Sequence, residues 1–366
     1  MPEVPTRMLF GPGPSDVAPS VLEAMARPVV GHLDPAFVGL LDEIGAMLRT
    51  VFKTTNEVTF AVSGTGSAGM EMALVNLLEP GDRAVVGIAG VFGERMAEVA
   101  KRCGAEVTAV SVPWGRPLDL GEMRIAIKRA RPKVVAFVHA ETSTGVRQPV
   151  DEIARTARDA GALVVLDTVT SLAGIPVFVD GWGIDACYAG TQKCLSVPPG
   201  LAPITFSPRA MDAIRARRTP VQSWYLDVGL ITRYWGAERV YHHTAPISML
   251  YALHEGLRLV LEEGLEDRWN RHETLGEELQ RTIADLGFTL LAAEGFRLPQ
   301  LTSAAVPGGL DEKAARRRLL DEFGIEIGGG LGAFAGKAWR IGLMGESCRK
   351  EKLDRLIDAI RAVRTP

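Results

Sequence analysis

The sequence predicts an α/β protein, with a large domain on a mostly parallel central sheet and a smaller α+β carboxyl-terminal domain. Three observations carry that prediction. From Gly81 to Ala189, short apolar runs alternate with amphipathic helical runs, the pattern of parallel strands joined by crossover helices. A glycine-rich turn, GTGSAG at Gly64 to Gly69, joins an apolar run to a helical one. Beyond Arg209 the alternation stops, and a long helical stretch leads into a tail of mixed strand and helix signals. The 366 residues are 47% hydrophobic and 23% charged, enough to bury a large core. The expected division is an amino-terminal arm over 1–15, a large domain over 16–263 and a small domain over 264–366.

Composition excludes several classes of function. A net charge of −3 recommends neither nucleic acid nor an anionic membrane surface as a partner, and no apolar run is long enough to cross a bilayer. Four scattered cysteines without a CxxC pair suit a reduced, cytoplasmic protein rather than a disulfide scaffold. The six histidines include the adjacent His242 and His243 but show no metal-ligand spacing, so no bound metal is expected.

The arm, Met1 to Ser15, is rich in proline and glycine and should be extended, gaining stability only by docking elsewhere, for instance on a second subunit. Helices are expected over Val17 to Met25 and Phe37 to Phe52, around the loop GHLDP. The stretch from Glu57 to Leu78 reads as strand, turn and helix. Gly64 and Gly66 allow close approach there, and Ser63, Thr65 and Ser67 place hydroxyls beside the free N–H groups of a helix start, which suits an anion. GTGSAG also fits the dinucleotide pattern of a dehydrogenase. That reading needs an acid at the end of the next strand, and RAVVGIAG has none there. A plain strand-to-helix turn is the third possibility.

Strands should follow at Ala84 to Ile88, Glu106 to Val112, Val134 to His139, Ala162 to Leu166 and Ala186 to Ala189. Helices are expected at Phe92 to Arg102, Leu120 to Ala130 and Val150 to Ala160. Helical spacing then runs from about Ile247 to Leu286, preceded by the loop YHHTAP, whose polar side chains have no obvious partners in their own segment. The tail reads as a strand at Leu301 to Val306, a helix at Glu312 to Phe323, a glycine-rich turn at Gly328 to Gly332, a strand in KAWRIGLM and a helix from Glu351.

Two charged residues stand where apolar strands end. Asp167 closes GALVVLD and should emerge at the carboxyl edge of the sheet, where ligands of open α/β sheets collect. Lys193, in YAGTQKCL, follows the next apolar run and precedes the rigid VPPG. A buried lysine loses proton affinity and becomes nucleophilic, although a lysine in such a place is more often simply exposed. An ion pair would explain both residues, as would a cofactor carrying an aldehyde and a protonatable ring nitrogen. Phe92 and Thr142 should lie at the same edge, where a core ring and a turn hydroxyl are the ordinary readings.

Taken in order, SGTGSAGMEMAL, AGVFGERM, ETSTGV, LDTVTSLAG, AGTQKCLSVPPG, YHHTAP and GKAWRIGLMG resemble the class V aminotransferases of the fold-type-I pyridoxal-phosphate enzymes, and most nearly their alanine–glyoxylate and serine–pyruvate members. The resemblance covers nearly the whole chain. It implies pyridoxal 5′-phosphate as cofactor, held covalently by Lys193, with Asp167 on its ring nitrogen. Thr65, Gly66 and Ser67 match the phosphate turn, and Phe92, Thr142 and Gln192 match other positions around the cofactor. Tyr241 and Thr244 match residues that reach the neighbouring subunit's phosphate, which implies a homodimer with shared sites. Arg340 matches the arginine that clamps the substrate carboxylate; its ordinary readings are an exposed strand charge or an ion pair with Glu346. Some relatives have tryptophan at the position of Phe92 and histidine at that of Ser67. The reaction implied is transamination between alanine or serine and glyoxylate or pyruvate. A lyase or a cysteine desulfurase of the same fold is the alternative, but the latter needs a cysteine ahead of Arg340, and GIEIGGGLGAFAGKAWR has none.

Overall fold

The computed structural model describes residues 4–364; Met1 to Glu3 of the arm and the terminal Thr365 and Pro366 lie outside them. In chain order the strands are β1 (Met8–Phe10), β2 (Val58–Ser63), β3 (Arg83–Ile88), β4 (Glu106–Ser111), β5 (Val134–Val138), β6 (Ala140–Glu141) and β7 (Val146–Arg147). They continue with β8 (Leu163–Asp167), β9 (Ala186–Tyr188), β10 (Leu201–Phe206), β11 (Thr289–Leu290), β12 (Leu301–Ala305), β13 (Ile325–Gly329) and β14 (Ala338–Gly342).

Seven strands form the large sheet in the order β2-β10-β9-β8-β5-β3-β4. Pairings from β4 through β9 are parallel, as the strand-helix alternation demands. Every residue of β5 and β8 is buried, because helices cover both faces of the sheet and their apolar runs have no solvent side to alternate with. Two apolar clusters lie on the two faces: one gathers Leu41, Phe137, Leu166 and Leu253, the other Phe60, Leu74, Val165 and Ile204.

β10 is not among the strands expected from sequence. LAPITF carries Pro203, which argues against a central strand because it removes a ladder donor. Pro203 is tolerated because the registered ladder with β9 begins only at Ile204, and Pro203 serves by its carbonyl, which accepts from Ala189 N at 2.8 Å. β10 runs antiparallel to both neighbours, so the sheet is mixed at the end that carries the glycine-rich turn.

The small sheet has the order β1-β13-β14-β12-β11. Its first strand comes from the arm, which therefore docks on its own chain. Met8 to Phe10 pairs in parallel with Ile325 to Ile327, and Asp16 holds Lys352 at 2.8 Å. The glycine-rich turn expected at Gly328 is corrected too: Gly328 and Gly329 belong to β13. A Cβ on Gly328 would lie 2.5 Å from Pro12 Cδ, so glycine serves close passage of the arm rather than a turn. The long helical stretch is two helices, Ile247–Glu263 and Leu265–Asp285, meeting at Gly264, whose φ of 84° only glycine adopts without strain. No helix of the described residues is long and apolar enough to cross a membrane.

Candidate active site

The carboxyl ends of β8 and β9 bring Asp167 and the Lys193 turn to one edge of the large sheet. Asp167 is 3% exposed. Its Oδ1 accepts from Val169 N at 2.8 Å and its Oδ2 from the Tyr188 hydroxyl at 2.8 Å, while its carbonyl accepts from His139 N at 2.9 Å. Burial pushes its carboxyl up to about 7, against the pull of those two donors, and the Glu141 charge adds to the rise. Lys193 shows the mirror effect. Burial lowers its amine to about 8, with Arg340 adding to the drop and Cys194 and Asp167 opposing it. Its Nζ donates to the Pro12 carbonyl, so the arm walls the crevice beside the amine.

The turn carrying Lys193 is fixed through its backbone. Ser15 Oγ donates to the Lys193 carbonyl at 2.8 Å, Ser15 N donates to the Gln192 carbonyl at 3.0 Å, and Arg268 Nη2 donates to the Cys194 carbonyl at 2.6 Å. Gln192 contributes a buried Oε1 that has no partner among the described residues.

The glycine-rich turn opens on the same edge. The helix Gly66–Leu77 begins with no side-chain cap and no acid in its first turn, and Thr65 and Ser67 are exposed there. A Cβ on Gly66 would fall 2.7 Å from Val169 Cγ2, which brings the helix start against the loop after Asp167. Such a start can take an anion on its free N–H groups. Arg95 lies over the Phe92 ring at 5.1 Å and reaches Ser67 Oγ at 3.4 Å. Phe92 is partly buried and packs against the apolar cluster on that face of the sheet.

Arg340, on β14, is buried to 8% exposure, which removes the reading as an exposed strand charge. Glu346 is engaged by Arg349 at 2.9 Å, which removes the other. Arg340 Nε donates to the Gly329 carbonyl at 2.8 Å and Nη1 to the Thr142 carbonyl at 3.4 Å. Among the described residues no carboxylate lies within ion-pair reach of it. A buried guanidinium without an anion is costly unless a ligand supplies one.

Tyr241 is 58% exposed and Thr244 is also exposed. The histidines between them are not without partners, contrary to the sequence reading: their Nδ1 atoms are 2.9 Å apart and His243 Nε2 lies 2.9 Å from Ser63 Oγ. Sequence reasoning also passed over Glu141, Ser143, Tyr188 and Pro12. None of the four stands out in the sequence: Glu141 and Ser143 read as ordinary polar residues of a loop, Tyr188 as core and Pro12 as part of the arm.

An anion-ready helix start, a half-buried lysine and a buried acid at one sheet edge define the site of a pyridoxal-phosphate enzyme of fold type I. The profile of the Aminotransferase class-V family matches residues 8–349, and the chain belongs to that family. A crystal structure of an alanine–glyoxylate aminotransferase from Nostoc sp. is 52% identical, with TM-score 0.97 over 99% of this chain and 96% of that one. The (S)-ureidoglycine–glyoxylate transaminase of Bacillus subtilis is 42% identical over 98% of this chain and 91% of its own. The alanine–glyoxylate aminotransferase of Rattus norvegicus is 40% identical over 98% and 87%. The protein is thus a pyridoxal-phosphate-dependent aminotransferase, and the dehydrogenase reading of GTGSAG falls. The three cysteine desulfurase-like structures of the same fold are 17% identical or less. The described cysteines are all buried, and the one near Arg340, Cys348, lies after it.

Proposed function

We propose that the protein moves the amino group of a small amino acid, alanine or serine, to glyoxylate, with pyruvate as a second acceptor. The observation that carries this is Arg340, a buried guanidinium with no carboxylate of its own, in the crevice it shares with Lys193. The names of the similar proteins, two alanine–glyoxylate aminotransferases and a ureidoglycine–glyoxylate transaminase, support the acceptor.

The residues present fit pyridoxal phosphate. The uncapped helix start at Thr65, Gly66 and Ser67 would take its phosphate, and the orphaned Gln192 Oε1, Thr142 and Phe92 would surround its ring. When bound, the cofactor supplies an electron sink for the pair left on the substrate Cα. Asp167, held by Val169 and Tyr188, would keep a proton on the ring nitrogen. Arg340 binds the substrate carboxylate with the paired N–H groups that suit that geometry and orients Cα. Lys193 Nζ, whose proton affinity is lowered by burial, would take the proton from the substrate Cα and, in the reverse half-reaction, return a proton to Cα; such general-base catalysis is worth roughly 10²–10⁴-fold. The arm walls the crevice beside the amine through the Pro12 carbonyl.

We further infer a homodimer with shared sites. Tyr241 and Thr244 are exposed, and Trp224, Tyr225 and Val240 are exposed large apolar side chains near them in sequence. Single-turnover absorbance changes of the loaded enzyme with alanine, serine, aspartate and glutamate, followed by regeneration with glyoxylate, pyruvate and 2-oxoglutarate, test the function. Faster turnover with glutamate than with alanine, or regeneration by 2-oxoglutarate ahead of glyoxylate, would overturn it.

A further inference from the structure

Two helices start at the edge of the sheet that carries Lys193, and they are treated differently. The helix Gly66–Leu77 is left open. The helix Val91–Arg102 is closed by a side chain from another segment, Glu141, which is fully buried. Its Oε2 accepts from Phe92 N at 3.2 Å and Gly93 N at 3.4 Å, and its Oε1 accepts from Ser143 N at 3.1 Å and Ser143 Oγ at 2.5 Å. Ser143 Oγ in turn accepts from Val91 N at 3.0 Å, and Glu94 N returns to the Gly90 carbonyl at 3.1 Å. The first-turn donors of this helix are therefore all satisfied, three of them by one carboxylate and its supporting serine. Gly90 makes the approach feasible, since a Cβ there would lie 2.2 Å from Ser143 Oγ and 2.7 Å from Glu141 Cδ.

A simple cap does not require a buried charge. Serine or aspartate on the residue before the helix serves that purpose with far less desolvation. Glu141 instead comes from β6, 49 residues on from Phe92 and next to Thr142, whose carbonyl receives Arg340. Burial raises the proton affinity of its carboxyl, but all four of its hydrogen bonds are donated to it, the pattern of an ionised carboxylate, and its charge adds to the rise at Asp167 and opposes the fall at Arg340. The positive end of a helix beside a crevice built for carboxylates and a phosphate is a landing place for a second anion, such as the side-chain carboxylate of aspartate or glutamate.

We propose that Glu141 is a specificity-determining residue, a built-in anion that fills the start of the helix Val91–Arg102 and denies it to the distal carboxylate of a dicarboxylic substrate. This rests on the reading of the site as one for small amino acids and deepens it: selectivity comes from a fixed repulsive charge as well as from the lack of a second cationic partner. Glu141 acts through charge at a distance and through the closed helix start, and it carries no proton to or from the substrate.

The test compares kcat/KM for alanine and for glutamate, each with glyoxylate, in the holoenzyme. Wild type comes first: failure to favour alanine would overturn the small-substrate reading itself, separately from the role of Glu141. Given that preference, Glu141→Gln should lower the alanine-to-glutamate ratio at least fivefold and tighten inhibition by succinate relative to propionate by a similar factor. Ser143→Ala loosens the same cap but keeps the charge, and should leave the ratio within twofold of wild type. Equal ratios in wild type and Glu141→Gln, or equal losses in Glu141→Gln and Ser143→Ala, would overturn the proposal in favour of a cap alone. Should Glu141→Gln fail to fold, Glu141→Ala supplies the second route: added formate should restore its selectivity by refilling the vacated anion position, and no restoration overturns the proposal.

Discussion

Replacing Asp167 with asparagine should make the cofactor-free protein more stable near neutral pH while abolishing transamination. Asparagine keeps both contacts of the side chain, since Oδ1 can still accept from Val169 N and the amide can donate to the Tyr188 oxygen. What it removes is the charge. In the folded, cofactor-free chain the carboxyl is raised from its ordinary 3.8 to about 7 by burial. Between those values the folded state holds the proton more tightly than the unfolded state, so stability falls as pH rises through that window. Integrated to pH 8, the loss is at most about 4 kcal/mol, three units at about 1.4 kcal/mol each. With an unfolding entropy of roughly 2.1 cal/mol/K per residue, 366 residues give about 0.8 kcal/mol/K, so the expected rise in Tm is about 5 °C. The assay is thermal unfolding of wild type and Asp167→Asn without cofactor, from pH 5 to pH 8. The difference should be small at pH 5 and grow toward pH 8, and pyridoxal phosphate should then stabilise wild type more than the variant. Parallel Tm profiles across that range would show that Asp167 ionises freely, and the burial argument would fail.

Lys193→Ala should fold yet yield no borohydride-stable adduct with pyridoxal phosphate; mass spectrometry finding such an adduct on another lysine would move the anchor elsewhere. Arg340→Lys should retain cofactor but lose about 1.5–3 kcal/mol in kcat/KM, roughly ten- to a hundredfold, because one charge-assisted bond to the carboxylate disappears; an unaffected variant would remove Arg340 from the substrate site. Mixing Lys193→Ala with a Tyr241→Ala, Thr244→Ala double variant should restore activity through hybrids that contain one complete site, and a monodisperse monomer with full cofactor binding would refute the shared site.

Local periodicity made most of the large sheet legible. The helix Leu120–Ala130 matches the sequence reading at both ends, and β3, β5 and β8 differ from it by one residue at most at either end. β10 escaped because Pro203 obscures a strand whose pairing is decided by its neighbours rather than by its own propensity. The arm escaped for a related reason: β1 is three residues long, and its partner Ile325 to Ile327 lies at the other end of the chain. No pattern within the fifteen proline- and glycine-rich residues of the arm announces such a contact. In the site, Asp167 and Lys193 were legible as charges ending apolar runs, and Arg340 through the family resemblance. Glu141 was not, because a carboxylate in a polar loop looks solvated until its four donors, from two segments, are brought together.

The lysine and the acid also explain each other. Their ordinary proton affinities, 10.5 and 3.8, would leave both charged over nearly seven pH units. In the fold the values draw together to about 8 and about 7, so the doubly charged state survives only in a narrow band near neutrality. Moving a proton from the ammonium to the carboxylate is then far less costly than in water, where it takes roughly 9 kcal/mol. Burial by itself, acting in opposite directions on the two groups, thus makes the neutral amine accessible before any substrate arrives. That is the form a nucleophile and base must have, and Pro12 from the arm helps enclose the space in which it is produced.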